Sequence, residues 1–247
     1  MRLILSTTPR IYIIEHGGDA LELSGDAFRH LGLSRRLRAG DEFITFDGSG
    51  IDKRWRVIAV EGMTLASELV KEYPFSNPPG VNLTLAFSPL KGGKSDDIIA
   101  SGTQMGVNRF IPFICSRTVL KLSGKRATER VSRWNEICIQ NSGFSLRTNV
   151  PKVEEMIDFA EILIMPGFDL KSMFYEENRY GGIGFHIAEG ASVFALVGPE
   201  GGFEPAEVEA AKGAGFVIAS LGAFILKAEV AAAKAASLIL NIDKNSR

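Results

Sequence analysis

The chain has 247 residues, of which 45% are hydrophobic and 23% charged, and its formal net charge is −1. This balance excludes a disordered or fibrous protein and allows a sizeable core, in one large domain or two small ones. The overall charge does not point to nucleic acid, so an RNA-binding function would require a local basic patch.

The first 73 residues predict a small β-rich module. Residues 11–14 form a short β-rich run, and residues 43–50 predict a strand that ends in a glycine-containing turn. Residues 53–60 are the expected hairpin partner of that strand. Residues 27–37 predict a short basic helix or turn between the strands.

Residues 74–80 contain three prolines and a glycine, which indicates a stiff connection, so we place domains at 1–73 and 81–247. Beyond the connection, predicted strands alternate with predicted helices, which indicates an α/β domain with a mainly parallel sheet. Ligands of such sheets bind beyond the carboxyl ends of the strands. We expect strands at 81–87, 109–115, 162–165, 193–197 and 217–221, and helices at 96–105, 128–141, 205–213 and 228–240.

Two glycine-bearing loops follow predicted strands and precede predicted helices. The sharper one is Leu196-Val-Gly-Pro-Glu-Gly-Gly-Phe203. Its glycines allow the backbone to approach a ligand closely, and the next helix offers free amides. A plain turn would need one glycine rather than three. The second loop, Ser220–Leu226, is a weak signal alone, but two such loops at one sheet edge would frame a single pocket.

Gly92-Gly-Lys-Ser95 resembles the end of a phosphate-binding P-loop. The full motif requires a glycine where this chain has Ser88, so a nucleoside triphosphate enzyme is not the leading interpretation. Lys91 and Lys94 remain candidate phosphate contacts as point charges.

The N-terminal module is close to charge-balanced as a whole, but residues 29–38 form a local cluster of basic side chains with no acidic residue among them. Side chains of this kind neutralise RNA phosphates without reading sequence, although a solvated charged face is the alternative interpretation. The candidate RNA contacts here are Arg29, His30, Arg35, Arg36 and Arg38.

The cysteines and histidines give no sign of a metal site. Cys115 and Cys138 form no CxxC pair, and the chain has only three histidines, so we expect two buried thiols and no metal. No apolar run suggests a signal peptide or a membrane span. We therefore expect a cytosolic protein.

Four groups of residues carry a family resemblance over nearly the whole chain. They are Arg29-His-Leu with Arg36-Leu-Arg-Ala-Gly-Asp-Glu and Phe46-Asp-Gly; Leu90-Lys-Gly with Gly106-Val and Ile111-Pro; Gly198-Pro-Glu-Gly-Gly202; and Leu221-Gly with Ile225-Leu-Lys-Ala-Glu229. In this order they resemble the family of 16S ribosomal RNA uridine-N3 methyltransferases, members of the knotted SPOUT class.

The resemblance implies a fold, a cofactor and partners. The fold is an α/β SPOUT-type parallel sheet with a C-terminal trefoil knot, preceded by a small PUA-like β-barrel that binds RNA. The cofactor is S-adenosylmethionine, the partner is 16S ribosomal RNA or the small ribosomal subunit, and the protein is a homodimer. The implied cofactor-binding residues are Leu196, Gly198, Glu200, Gly201, Gly202, Leu221, Gly222, Ile225 and Leu226.

The resemblance also suggests catalytic residues, since N3 of uridine must lose a proton before it can accept a methyl group. Glu229 is the candidate base or orienting group, and Arg147 the candidate for stabilising negative charge on the uracil oxygens. Phe144 and Lys227 stand where the family has arginines. These departures leave open an RNA-binding protein that keeps the fold without catalysis.

Overall fold

The computed structural model describes residues 8–14, 18–74, 80–120, 122–177 and 187–241. The chain divides into two compact units. Most of the predicted connection, residues 75–79, lies outside the described residues. The prediction places 142–150 in the C-terminal domain, whereas the structure groups this segment with the N-terminal unit. Unit 1 comprises Met1–Asn77 and Ser142–Val150, and unit 2 comprises Pro78–Asn141 and Pro151–Arg247.

Unit 1 is built on a curled five-stranded sheet of order β1-β3-β4-β5-β2. β1 pairs with β3 in parallel and the other pairs are antiparallel. Register shifts within the long β4–β5 pair help the sheet to curl. The predicted strands at 11–14, 43–50 and 53–60 are confirmed as β1, β3 and β4. The bounds are β1 Arg10–Tyr12, β2 Ala20–Leu23, β3 Glu42–Phe46, β4 Ile51–Glu61 and β5 Thr64–Pro74.

One face of this sheet packs on a short helix. α1 (Gly25–Phe28) continues as a wider helical turn over Arg29–Ser34, which confirms the short basic helix or turn expected at 27–37, although the helical residues end at Ser34. The buried Trp55 indole donates a hydrogen bond to Thr45 Oγ1 at 2.7 Å. The core of unit 1 contains Leu23, Phe28, Leu31, Phe43, Trp55, Val57 and Leu65.

Arg10 explains why the segment 142–150 belongs to unit 1. Its guanidinium binds the Asp52 carboxylate, with Nη2 2.6 Å from Oδ1, and lies 3.9 Å from the Phe46 ring centroid. It also donates to the carbonyl oxygens of Ser142 at 3.1 Å and Arg147 at 2.6 Å. Burial raises the pKa of Asp52, and the bond from Arg10 opposes that shift. One buried ion pair therefore fixes a segment distant in sequence.

Unit 2 contains a parallel sheet of order β12-β10-β11-β6-β7-β8, with β9 beside β7. Every strand pair in it is parallel, as expected for an α/β domain. The central strands are almost entirely buried, as apolar runs covered on both faces should be. The bounds are β6 Asn82–Phe87, β7 Arg109–Ile114, β8 Lys152–Val153, β9 Ile157–Asp158, β10 Leu170–Phe174, β11 Ser192–Val197 and β12 Val217–Ala219.

Helices connect these strands. The last helix, α6, buries alanines at helical spacing, and such small side chains let it pack closely on the sheet and on α2. Within the described residues, no helix is long and apolar enough to cross a membrane. The bounds are α2 Lys94–Met105, α3 Gly124–Phe144, α4 Phe159–Leu163, α5 Pro205–Gly213 and α6 Ala228–Asn241.

The prediction of a strand at 162–165 is wrong. Residues 159–163 form helix α4, with Asp158 and Glu161 in a capping box at its start. A short apolar run is ambiguous between helix and strand, and here the capping residues decide for helix. The next strand is β10 at Leu170–Phe174. The expectation of two buried thiols at Cys115 and Cys138 is confirmed, since both side chains are buried and neither forms a disulfide with a described residue.

Candidate functional site

A cavity of about 370 Å³ opens in unit 2. Its walls come from the loops that follow β10, β11 and β12, together with the start of α6. These strands are neighbours in the sheet, so their carboxyl ends meet at one edge. The volume lies in the range of small-molecule and cofactor sites.

The loop after β11 is folded too tightly to carry side chains at Gly198 and Gly202. A Cβ on Gly198 would lie 2.8 Å from the Phe203 ring. Gly202 has a φ of +68°, and a Cβ there would overlap the Glu176 carboxylate. The Gly202 amide donates to the Pro199 carbonyl oxygen at 2.9 Å, which closes the turn. The loop therefore presents bare backbone to the cavity.

The loop that follows β7 lies outside the cavity wall and braces the β11 loop. Arg117 Nε donates to Glu204 Oε1 at 2.7 Å, and its Nη1 donates to the Gly201 carbonyl oxygen at 2.8 Å. The Ser116 amide donates to the nearly buried Glu207 at 2.8 Å. These contacts fix the backbone of the β11 loop before any ligand binds, although Arg117 itself does not line the cavity.

The cavity wall combines apolar surface with charges of both signs. Lys94, at the start of α2, lines the cavity, and its Nζ lies 3.2 Å from Glu200 Oε1. Glu176 and Lys227 also line it. Such a wall suits a ligand that has a flat, weakly polar part and both positive and negative groups. The apolar residues of the wall are Phe174, Val197, Pro199, Leu221, Phe224, Ile225, Leu226, Ala228 and Ala231.

Tyr175 in this wall stays protonated. Burial, the hydrogen bond with Glu177 and the negative charges of Glu177 and Glu176 raise the pKa of Tyr175 to about 12. Its phenol is neutral near pH 7, so it serves as a hydrogen-bonding group and not as a base.

Most residues expected to bind the cofactor line this cavity. Leu196 does not: its side chain is fully buried in the core of unit 2. Gly201 does not line it either, and its carbonyl is held by Arg117. The sequence prediction missed the third loop, with Phe174, Tyr175 and Glu176, because it missed β10. The expected residues in the wall are Gly198, Glu200, Gly202, Leu221, Gly222, Ile225 and Leu226.

The two candidate catalytic residues lie in different units. Glu229 is in the first turn of α6 and follows Ala228, which lines the cavity. Its Oε2 is buried without a hydrogen-bond partner among the described residues, so that oxygen is available to a bound group. Arg147 lies in unit 1, where its amide donates to the Ser142 carbonyl oxygen at 2.9 Å. Its catalytic role stays a prediction.

The candidate RNA contacts fall into two sets. Those of unit 1 are all exposed, and an exposed ion pair of 3.3 Å joins Arg29 to Asp26. In unit 2, Lys91 is exposed, whereas Lys94 is half-buried and part of the cavity. In the described parts of the chain, no group of His, Cys, Asp and Glu is arranged to hold a metal. The exposed set of unit 1 is Arg29, His30, Arg35, Arg36 and Arg38.

Comparison with known proteins gives consistent matches. Residues 77–240 match the model of the RNA methyltransferase domain family. The chain is 29% identical to the ribosomal RNA small subunit methyltransferase E of Bacillus subtilis, over 88% of each chain. It is 25% identical to that of Mycobacterium bovis, over 88% of this chain and 85% of the other. A crystal structure of the Neisseria gonorrhoeae enzyme bound to S-adenosyl methionine superposes with a TM-score of 0.84 and 31% identity, covering 94% of this chain and 96% of that one.

Proposed function

This chain belongs to the RNA methyltransferase domain family, and on that premise we propose that it is an S-adenosylmethionine-dependent methyltransferase that modifies N3 of a uridine in 16S ribosomal RNA. The observation that carries the proposal is the cavity formed at the carboxyl ends of three adjacent parallel strands, with two glycine-bearing loops in its wall. The named relatives, which are small-subunit ribosomal RNA methyltransferases, supply the substrate class.

The residues of the cavity fit the cofactor. The cofactor can approach the backbone closely at Gly198, Gly202 and Gly222, because these residues have no side chain. The apolar part of the wall suits its adenine ring. Glu176 and Glu200 offer carboxylates to the ammonium and sulfonium groups, whereas Lys94 and Lys227 offer positive charge to the carboxylate. The bound cofactor would supply an electrophilic methyl group.

The finer architecture is part of the proposal. The parallel sheet and the cavity loops of unit 2 are consistent with a SPOUT-type domain knotted near its C-terminus. The curled sheet and exposed basic helix of unit 1 are consistent with a PUA-like RNA-binding domain. We also propose a homodimer, from the family resemblance.

The chain's own residues perform three tasks in the proposed mechanism. The braced β11 loop and the Lys94–Glu200 ion pair hold the cavity in shape, which positions the reactants for an in-line displacement. Glu229, with its unpartnered Oε2, accepts or orients the N3 proton of the uracil. Arg147 stabilises the negative charge that develops on the uracil oxygens.

Replacing Arg147 with alanine is expected to abolish methyl transfer and to leave cofactor affinity nearly unchanged. The lost guanidinium stabilises the deprotonated ring and makes no contact with the cofactor in this scheme. Transfer is measured with methyl-labelled cofactor, and affinity by calorimetry. Arg56→Ala, which removes an exposed arginine of the same unit that is not among the candidate RNA contacts, is the matched control. Parallel losses of transfer and of cofactor affinity in Arg147→Ala would refute the role.

The proposed function is tested by incubating the protein with methyl-labelled S-adenosylmethionine and small ribosomal subunits, or their 16S RNA, and digesting the RNA to nucleosides. The proposal predicts label in 3-methyluridine. RNA binding without any label would support the non-catalytic alternative, which the comparisons do not favour.

A further inference from the structure

The first half of helix α3 and the segment before it carry a strong local excess of positive charge. Residues 117–133 contain six basic side chains and one acidic side chain, Glu129, in a chain whose net charge is −1. A local excess of this kind is the electrostatic footprint of a surface that binds phosphate. It lies in unit 2, away in sequence from the basic residues of unit 1.

Three arginines of this excess form a line along the helix. Arg126, Arg130 and Arg133 are spaced so that they share one face of α3, over a rise of about 10 Å. We call these residues the arginine stripe. Lys125 lies on a neighbouring face, where its Nζ is 3.7 Å from Glu129, so the one acidic residue of the segment is opposed by a lysine outside the stripe.

The stripe is attached to the same helical turn that borders the cavity. Asp96, in the first turn of α2, accepts hydrogen bonds from Arg133 Nη2 at 2.9 Å and from the Trp134 indole at 3.0 Å. Lys94 opens this turn and lines the cavity. The C-terminal part of the stripe therefore contacts the helical turn whose first residue lines the cavity.

The ion pairs of the stripe leave positive charge available. Asp96 is the carboxylate shared by Arg133 and by Arg130, whose Nη1 is 3.7 Å away. Arg133 makes the shorter contacts and anchors α3 to α2. Arg126 is exposed and forms no ion pair with any residue that the structure describes. Arg126 and Arg130 can therefore offer their guanidinium groups to phosphates, which these groups bind in a bidentate manner.

We propose that the arginine stripe binds the phosphate backbone of the RNA substrate and directs it to the cavity. This inference rests on the proposed function, because it takes the ligand to be RNA. The stripe contributes affinity that depends on salt and is independent of base sequence.

The test compares RNA binding by the unaltered chain, by Arg126→Gln and by the double variant Arg126→Gln/Arg130→Gln, with 16S ribosomal RNA as the probe. RNA affinity is measured over a range of salt concentrations, and the logarithm of the binding constant is plotted against the logarithm of the salt concentration. Each lost phosphate contact should reduce the magnitude of the slope of this plot by about 0.7 to 0.9, so the double variant should show a reduction of roughly 1.4 to 1.8. We expect its RNA affinity to fall at least about tenfold at moderate salt. Lys212→Gln on α5 removes an exposed positive charge outside the stripe and is the matched control for the single variant.

The outcomes separate the stripe from the proposed function. A changed salt slope with unchanged cofactor affinity and melting temperature supports the stripe, whether or not the unaltered chain methylates RNA. An unchanged slope overturns the proposal for the stripe and has no bearing on the proposed methyltransferase function, which the methyl-transfer assay tests separately. A slope that changes only together with cofactor affinity or melting temperature also overturns it, because the effect would then act through the fold. Failure of the unaltered chain to bind RNA overturns it as well.

Discussion

Replacing Ala231 with phenylalanine is expected to weaken S-adenosylmethionine binding at least about 100-fold, which corresponds to about 2.8 kcal/mol, and to remove methyl transfer with it. Ala231 lines the cavity from the first turns of α6. The added ring would occupy space in a cavity of about 370 Å³ that the cofactor itself needs. Cofactor affinity is measured by calorimetry, and thermal melting checks that the helix still packs.

Val230→Phe is the matched control, because it places the same ring one residue earlier in α6. Val230 is 47% exposed and does not line the cavity, so this variant should keep its cofactor affinity. Normal cofactor binding by Ala231→Phe would show that the cofactor lies elsewhere. Equal losses in both variants would point to a damaged helix and not to a filled cavity.

Replacing Glu229 with glutamine is expected to lower kcat by about 10² to 10⁴ with cofactor affinity unchanged. Glutamine keeps the shape of the side chain and loses its basicity, so it no longer accepts the N3 proton. The unpartnered Oε2 is the structural reason for this choice, since the described residues give that buried oxygen no other function. Single-turnover methyl transfer under saturating cofactor measures the effect.

A purely structural role for Glu229 predicts a different result. An acidic residue in the first turn of a helix interacts favourably with the helix dipole and stabilises the folded state by about 0.3 to 1 kcal/mol. Glu229→Gln would then lower the free energy of unfolding slightly and leave kcat unchanged. Glu209→Gln removes an exposed carboxylate from α5 and controls for the loss of negative charge. Unaltered kcat in Glu229→Gln would exclude it as the base.

Local signals account for the parts of the fold that could be predicted. Helix α5 begins and ends where expected, because Pro205 suits a first helical turn and Gly213 a last one. Strand β11 and its loop were predictable because an apolar run meets three glycines. Strand β10 has a weak apolar signal, because Lys171 and Ser172 interrupt its apolar residues. The fully apolar run at 162–165 favours a strand in its place.

Long-range contacts account for what could not be predicted. Arg117 braces a loop that lies more than 80 residues further along the chain, and Arg10 binds a carbonyl oxygen 137 residues away. Isolated arginines carry no local signal of such partners. The arginine stripe was missed for a related reason: its members are spaced by a helical period with Glu129 among them, so they form no run. Their common face exists only once α3 is a helix.

Titration of the protein with S-adenosylmethionine by calorimetry, with ATP as the control ligand, tests the central claim most directly. The cavity after β10, β11 and β12 predicts saturable binding of one cofactor per chain, no comparable binding of ATP, and loss of the signal in Ala231→Phe. No binding of S-adenosylmethionine, with RNA binding retained, would contradict the claim and leave an RNA-binding protein that keeps the fold without catalysis.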